Sequence, residues 1–344
     1  MAPSPFGLAR RRLGRGQLLA LAGACVAGTV ALGATRALGW SLSLVLLFGA
    51  YLVVSTTAAW RLEGRRPAVN RLACTLLGAA VVVTLIPLLA VLGYTLAKGG
   101  KALDGHFLTH SMRGVGPLEA SGGEYHAVIG TLEQVLVASV ISIPLGLLTA
   151  IFVVEYGRGR MALLVRFFVD VMTGVPSIVA GLFVFAFWVI GLHKGFSGFA
   201  AGMALAVLML PVVARASEEM LRLVPKELRD ASYALGIPKW RTITSVVLPA
   251  ASAGITTGVI LAVARVTGET APLLLTAFGF DSVRTGVFRG PQSALPLYVF
   301  SQASSAFDVA VHRAWAGALT LILIVLVLSV VARIVTRRNT LSAM

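Results

Sequence analysis

Long runs of Leu, Val, Ala and Ile alternate along this 344-residue chain with short segments that collect Arg and Lys. A bilayer hydrocarbon core of about 30 Å is crossed by roughly 20 apolar residues in helical form. Eight runs meet that requirement, near 17–35, 40–60, 72–97, 127–154, 166–192, 197–217, 246–277 and 314–335. They are continuous rather than alternating in ten-residue segments, which points to helices and not to a barrel. The expected fold is therefore all-α, a polytopic membrane helical bundle. The first run follows Arg10, Arg11, Arg12 and Arg15 and superficially resembles a secretory signal peptide. No small-residue cleavage site leads into a soluble mature domain, so the run is read as a retained anchor.

The polar segments set the expected orientation. With the N-terminus inside, the inner segments carry 20 Lys and Arg residues, the outer ones eight, and Arg265 falls within a run. The positive-inside rule then puts both termini in the cytoplasm of a multi-pass protein of the cytoplasmic (inner) membrane. Trp40, Trp60, Tyr94, Trp188 and Trp315 fall at span ends, where an aromatic belt belongs. Two outer connections are long, 98–126 and 278–313; the first is rich in Gly, and the second carries Pro291 and Pro296. Either is a surface for a ligand or partner, or a plain solvated loop. The first two spans end at the basic linker RLEGRRPAVNR. Residues 1–70 therefore read as an appendage, a basic tail with two extra spans, to a six-span core over 71–338.

One inner segment is unlike a plain loop. Residues 225–240 carry helix punctuation: Pro225 suits the first helical position, Glu227 complements the positive end of the helix dipole, Gly236 suits the left-handed position after the last turn, and Pro238 blocks continuation. Leu228, Ala231 or Ser232, and Leu235 share one face, with Lys226, Arg229 and Asp230 around the rest. A helix of about ten residues is too short to persist alone, so it must rest on something. Glu227 and Asp230 dilute its basic face, which suits a protein partner better than anionic lipid.

Charges inside the runs are the other candidates. Arg265 and Glu269 lie in LAVARVTGETAPLLLTAFG, four apart and on one helical face if the helix continues. Each is costly in hydrocarbon unless paired or wet. The pair reads either as an ion pair locking two spans or as an arginine lining an anion path with Glu269 orienting it. Arg215, beyond Pro211, is a further pathway candidate or a snorkelling anchor. Asp170 and Glu133 sit near span beginnings and carry no assignment. GVPSIVAGLF at 174–183 combines Gly174, Pro176 and Gly181, which permits a kink and close helix approach.

Composition agrees. At 57% hydrophobic and 12% charged, with mean hydropathy +0.89, the chain is too apolar for a soluble protein of this length. The net charge of +15 reflects membrane orientation rather than nucleic-acid binding. Cys25 and Cys74 form no framework, and His106 and His110 have no further ligand set beside them. No GxxxxGK[ST] loop is present to cradle nucleotide, and no Ser–His–Asp or metal cluster occurs in the runs.

A resemblance then becomes visible. Asp230-Ala231-Ser232, Gly236, Val246 and Leu248-Pro249 have the spacing of the EAA loop of ABC-importer permeases, EAA-xxx-G-x9-I-x-LP, with Asp, Ser and Val as substitutions. HAVIGTLEQVLVASVISIPLGLLTAIFVVEYGR, GVPSIVAGLF, ARVTGETAPLLLTAFG and the later LPLYVF…WAG resemble phosphate permeases of the PstA type over roughly 70–338. The resemblance implies a coupling helix at about 226–240 that fits a cleft of an ATPase subunit, with Glu227, Asp230, Ala231, Ser232, Gly236, Leu248 and Pro249 in the coupling segment. It implies a PstC-like sister permease, two PstB-like ATPase subunits holding the ATP and Mg, and a PstS-like extracytoplasmic phosphate-binding protein. This chain itself would need no cofactor, hydrolyse nothing and touch membrane lipid but no nucleic acid. Arg265, and with it Arg215, match family positions linked to phosphate passage. Alternatives are a permease for sulfate or molybdate, or a self-sufficient ion-coupled secondary transporter.

Overall fold

The structure is a computed structural model that describes residues 40–116, 118–157 and 159–341. The expected run near 17–35 lies outside the described residues. The chain divides into two compact units, Met1–Leu92 and Gly93–Met344.

The first unit holds helix α1, Trp40–Glu63, and the beginning of α2, Arg65–Ala102. Gly64, at φ 99°, turns the chain between them, and Arg71 pairs with Glu63 at 3.2 Å across the turn. Val45, Leu77 and Val83 are largely exposed, as side chains facing lipid would be. At 38 residues, α2 exceeds the expected 72–97 run at both ends and is roughly 57 Å long.

The second unit begins in the last part of α2 and continues with α3, Gly105–Thr109, and α4, Tyr125–Ile151, extended by a π-helical turn Phe152–Tyr156. Next come α5, Arg160–Thr173, and α6, Ser177–Val184, itself extended to Gly191, then α7, Gly198–Leu223. Two short helices follow, α8 at Lys226–Ala234 and α9 at Lys239–Thr242, before a π turn Ile243–Val247 and α10, Leu248–Thr267. The chain ends with α11, Ala271–Thr276, α12, Leu295–Ala303, and α13, Asp308–Leu341.

Helices α4 and α7 run parallel and in contact along their length. Val137 lies against Gly202, the Ser142 hydroxyl donates to Ala206 O at 3.0 Å, Val213 lies against Gly146, and Ala150 packs with Leu221. A Cβ on Gly202 would sit 2.6 Å from a Val137 methyl, so the approach depends on the missing side chain. Two parallel spans require the segment between them to return across the bilayer. That segment is α5 and α6, which the sequence reads as one run over 166–192. The structure corrects this to two helices bent by 105° at Gly174–Pro176. Pro176 offers no N–H to the preceding turn and holds φ −59°, ψ 139°, so the helix stops and restarts in a new direction.

Likewise the run 246–277 is not one helix. α10 ends at Thr267, and Gly268 and Pro272 frame a restart as α11. α10 is antiparallel to α7, with Gly254 against Met220 and Gly258 against Ala216. The central core is correspondingly lean: Val135, Ala138, Leu205, Met209, Val213, Ala262, Val266 and Leu273. Connections gather at two ends. At one, Ser197 N–H donates to Thr276 O, Phe199 N–H to Val287 O and Leu295 N–H to the Thr131 hydroxyl. There too Arg313 donates to the carbonyls of Glu119 and Ser121. The other end carries α8, α9 and the turn after α4. The expected inner lever and the expected outer loops thus lie at opposite ends of the bundle.

Candidate functional site

The lever segment forms as the punctuation predicts, one residue shifted at its start: Pro225 is the cap and Lys226 the first helical residue. Its end is a Schellman closure. Gly236 N–H donates to Tyr233 O at 2.9 Å and Ile237 N–H to Ser232 O at 3.3 Å, with Gly236 at φ 71°. The helix rests on its own chain through polar groups. Ser232 is buried, its hydroxyl 2.9 Å from that of Thr242. Arg229 pairs with Glu155 at 2.9 Å, the two side chains only 14% and 5% exposed. The apolar residues point the other way: Leu228, Ala231 and Leu235 are exposed, Leu235 at 79%. Glu227 and Asp230 are exposed beside them. Leu248 and Pro249 are not on this face. Leu248 packs against the buried cluster formed by Ala150, Leu221, Val224, Val247 and Ala251, and Pro249 lies in the first turn of α10.

Arg265 and Glu269 meet at a cavity of about 200 Å³ lined also by Thr173, Pro176, Ser177, Leu208 and Val212. The cavity opens where α5 breaks into α6. Because α10 stops at Thr267, Glu269 leaves the helical face of Arg265, and among the described residues the two form no ion pair. Gly181 packs onto the restart: a Cβ there would sit 2.6 Å from Pro272 Cα. GVPSIVAGLF and GETAPLL are therefore in contact.

Arg215 is elsewhere. It reaches Glu219 at 3.2 Å, Asp170 at 3.5 Å and Glu218 at 3.9 Å. Glu218, 5% exposed, also takes Arg166 at 3.1 Å and Arg222. The structure thus gives Asp170 a partner and makes Glu218, which the sequence pattern does not single out, the centre of the cluster. Glu133 accepts from Gln292 beneath the 278–294 loop.

Glu155 and Glu124 are also new. Glu124 is fully buried just before α4, with Tyr298 and Gly317 against it, and burial pushes its carboxyl up to about 7, opposed by the nearby Thr320 hydroxyl. A larger cavity of about 570 Å³ at that end is lined by Arg113, His126, Asp281 and Tyr298. His106 and His110 stack at 3.7 Å, and the described residues contain no group of three metal-ligating side chains.

The family described as "Binding-protein-dependent transport system inner membrane component" matches residues 142–340. With six helices among the described residues long and apolar enough to cross a membrane, or seven counting the bent pair, the chain is a multi-pass inner-membrane protein. "Phosphate transport system permease protein PstA 1" of Mycobacterium tuberculosis is 48% identical over 282 residues, 80% of this chain and 92% of that protein. The PstA of Mycobacterium leprae is 45% identical (76% and 86% covered), and that of Yersinia pestis 41% (80% and 91%). A chain of the inward-facing MetNI methionine ABC transporter aligns with TM-score 0.49 at 17% identity, covering 70% of this chain and 100% of that one. The chain belongs to the binding-protein-dependent permease family, together with its PstA relatives.

Proposed function

We propose that this chain is a membrane-spanning subunit of an ATP-driven phosphate importer working by alternating access. The observation that carries the reading is α8, a closed helix held to its own bundle by Arg229 and Ser232 while Leu228, Ala231 and Leu235 stay uncovered. Phosphate as substrate comes from relatives at 41–48% identity that carry that name. Residues 71–338 form the transport core and 1–70 the appendage. Both termini and α8 face the cytoplasm, where the excess of basic residues lies. Two ATPase subunits, PstB-like, hold the ATP and Mg, and one grips α8 through Leu228, Ala231, Leu235, Glu227 and Asp230. A PstC-like sister completes the pathway, and a PstS-like binding protein delivers phosphate to the opposite end. The anion passes the cavity at Arg265, with Glu269 limiting how tightly it is held.

Gly236→Pro tests docking. Proline fixes φ near −65° and cannot adopt the 71° of Gly236, so the closure of α8 is lost while the spans are untouched. Insertion should be normal and copurification of the ATPase abolished; normal copurification and uptake would overturn the docking role. Uptake competed by phosphate but not by sulfate or molybdate identifies the anion.

A further inference from the structure

Arg229 does more than support α8. Its Nε and Nη2 approach the same Glu155 carboxyl oxygen at 3.0 and 2.9 Å, Nη1 donates to Val224 O at 2.6 Å, and Nη2 donates to Leu221 O at 2.9 Å. One guanidinium therefore joins α8, the last carbonyls of α7 and the end of α4. Glu155 is held twice, since Lys239 of α9 donates to its backbone carbonyl while lying over the Tyr156 ring at 4.7 Å. Both sides of this connection are π-helical, Phe152–Tyr156 before it and Ile243–Val247 after it. Such widened turns interrupt the regular helix ladder, so local change is easier there than in α4 or α10 proper.

We propose that the Glu155–Arg229 ion pair is the mechanical joint that makes α4 follow α8, so that both are positioning residues for transport. The inference rests on the docking role proposed for α8. An apolar contact slides under load, whereas a planar guanidinium fixed by a carboxylate and two carbonyls moves only as a unit with them. The pair is shielded from water, which strengthens it. α4 and α7 pack in parallel over their whole length, so motion delivered at Glu155 and Leu221 is carried by that pair of spans together. The α5 helix has its own separate tie, Arg166 to Glu218, and can change angle to α6 at the Gly174–Pro176 break.

The complete importer in proteoliposomes provides the test, with phosphate uptake and ATP hydrolysis measured together. Glu155→Gln and Arg229→Lys should keep the ATPase bound and its turnover within about twofold, while uptake per ATP falls tenfold or more. A further variant replaces Cys25 and Cys74 with Ala and carries Glu155→Cys with Arg229→Cys. It should be equally uncoupled until a short bifunctional methanethiosulfonate bridges the two positions, which should restore uptake per ATP to within about threefold of wild type. Unchanged uptake per ATP in Glu155→Gln, or bridging without recovery, overturns the joint. If Glu155→Gln does not assemble, the bridged and unbridged forms decide alone. Normal copurification and uptake in Gly236→Pro would instead refute the docking role, and the joint with it.

Discussion

Arg215 and Arg265 both lie on long apolar helices, yet the bundle treats them oppositely. Arg215 lies on the uninterrupted helix α7, where Glu218 and Glu219 follow at i+3 and i+4, and it also reaches across to Asp170 on α5. Its charge is balanced within the protein. Arg265 lies in the last turn of α10, and the chain breaks at Gly268 before Glu269 can take the i+4 position. Its charge faces a cavity and has no ion-pair partner among the described residues. A neutralised arginine presents little net field, whereas an unneutralised one beside a cavity retains the field that the proposed anion path requires. Helix continuity after each arginine makes the difference.

The largest effect should come from Arg265→Ala. Losing a charge-assisted contact of about 2–3 kcal/mol corresponds to a decrease of roughly 30- to 160-fold in phosphate uptake, with the complex assembled and ATPase bound. Arg265→Lys keeps the charge without the fork and should fall between. Uptake unchanged in Arg265→Ala would make Arg265 part of the scaffold, and the contrast with Arg215 would vanish.

Most spans of the 71–338 core were legible because lipid demands about 20 apolar residues in a row, and α8 because Pro225, Gly236 and Pro238 bound it so tightly. Less legible was the outcome at GVPSIVAGLF. Gly174 and Pro176 announce a kink, but whether the chain bends slightly or by 105° is decided by neighbours such as Pro272, which Gly181 admits. Hydropathy also merged α10 with α11, since Gly268, Glu269 and Thr270 barely interrupt the apolar run. The partners of Arg215 were half visible: Glu218 and Glu219 stand at helical spacing, whereas Asp170 is 45 residues away. Glu155 gave no signal at all, because Arg229 lies 74 residues further on and only the parallel packing of α4 and α7 brings them together.

A buried carboxyl sharpens the comparison with the two exposed arginines, because Glu124 has no ion-pair partner among the described residues. It is enclosed by Tyr298 of α12, with Gly317 and Thr320 of α13 beside it and Arg313 near the Tyr298 side. Its carboxyl is raised from 4.5 to about 7. In the unfolded chain the group ionises above pH 4.5, whereas in the folded chain it keeps its proton until about 7. Stability is therefore full below 4.5 and falls as pH climbs through this window, by up to about 3 kcal/mol. Glu124→Gln should remove that slope, measured as the apparent Tm of the detergent-solubilised protein between pH 5 and 8. Equal slopes in the two proteins would show that Glu124 does not set the pH dependence.

The smallest effect is expected at Arg215 itself. Its side chain is 47% exposed, so each of its pairs is worth about 1 kcal/mol or less after screening. Removing it leaves Glu218 with Arg166 and Arg222, and Glu219 and Asp170, both more than half exposed, with water. Arg215→Ala should therefore lower the apparent Tm by only a few degrees and leave phosphate uptake within about threefold of wild type. A loss of uptake as deep as that of Arg265→Ala, at unchanged Tm, would mean that the carboxylates release Arg215 during the cycle and that it too meets the anion. The two arginines would then be successive stations on one path, and pairing in a single conformation would no longer distinguish scaffold from pathway.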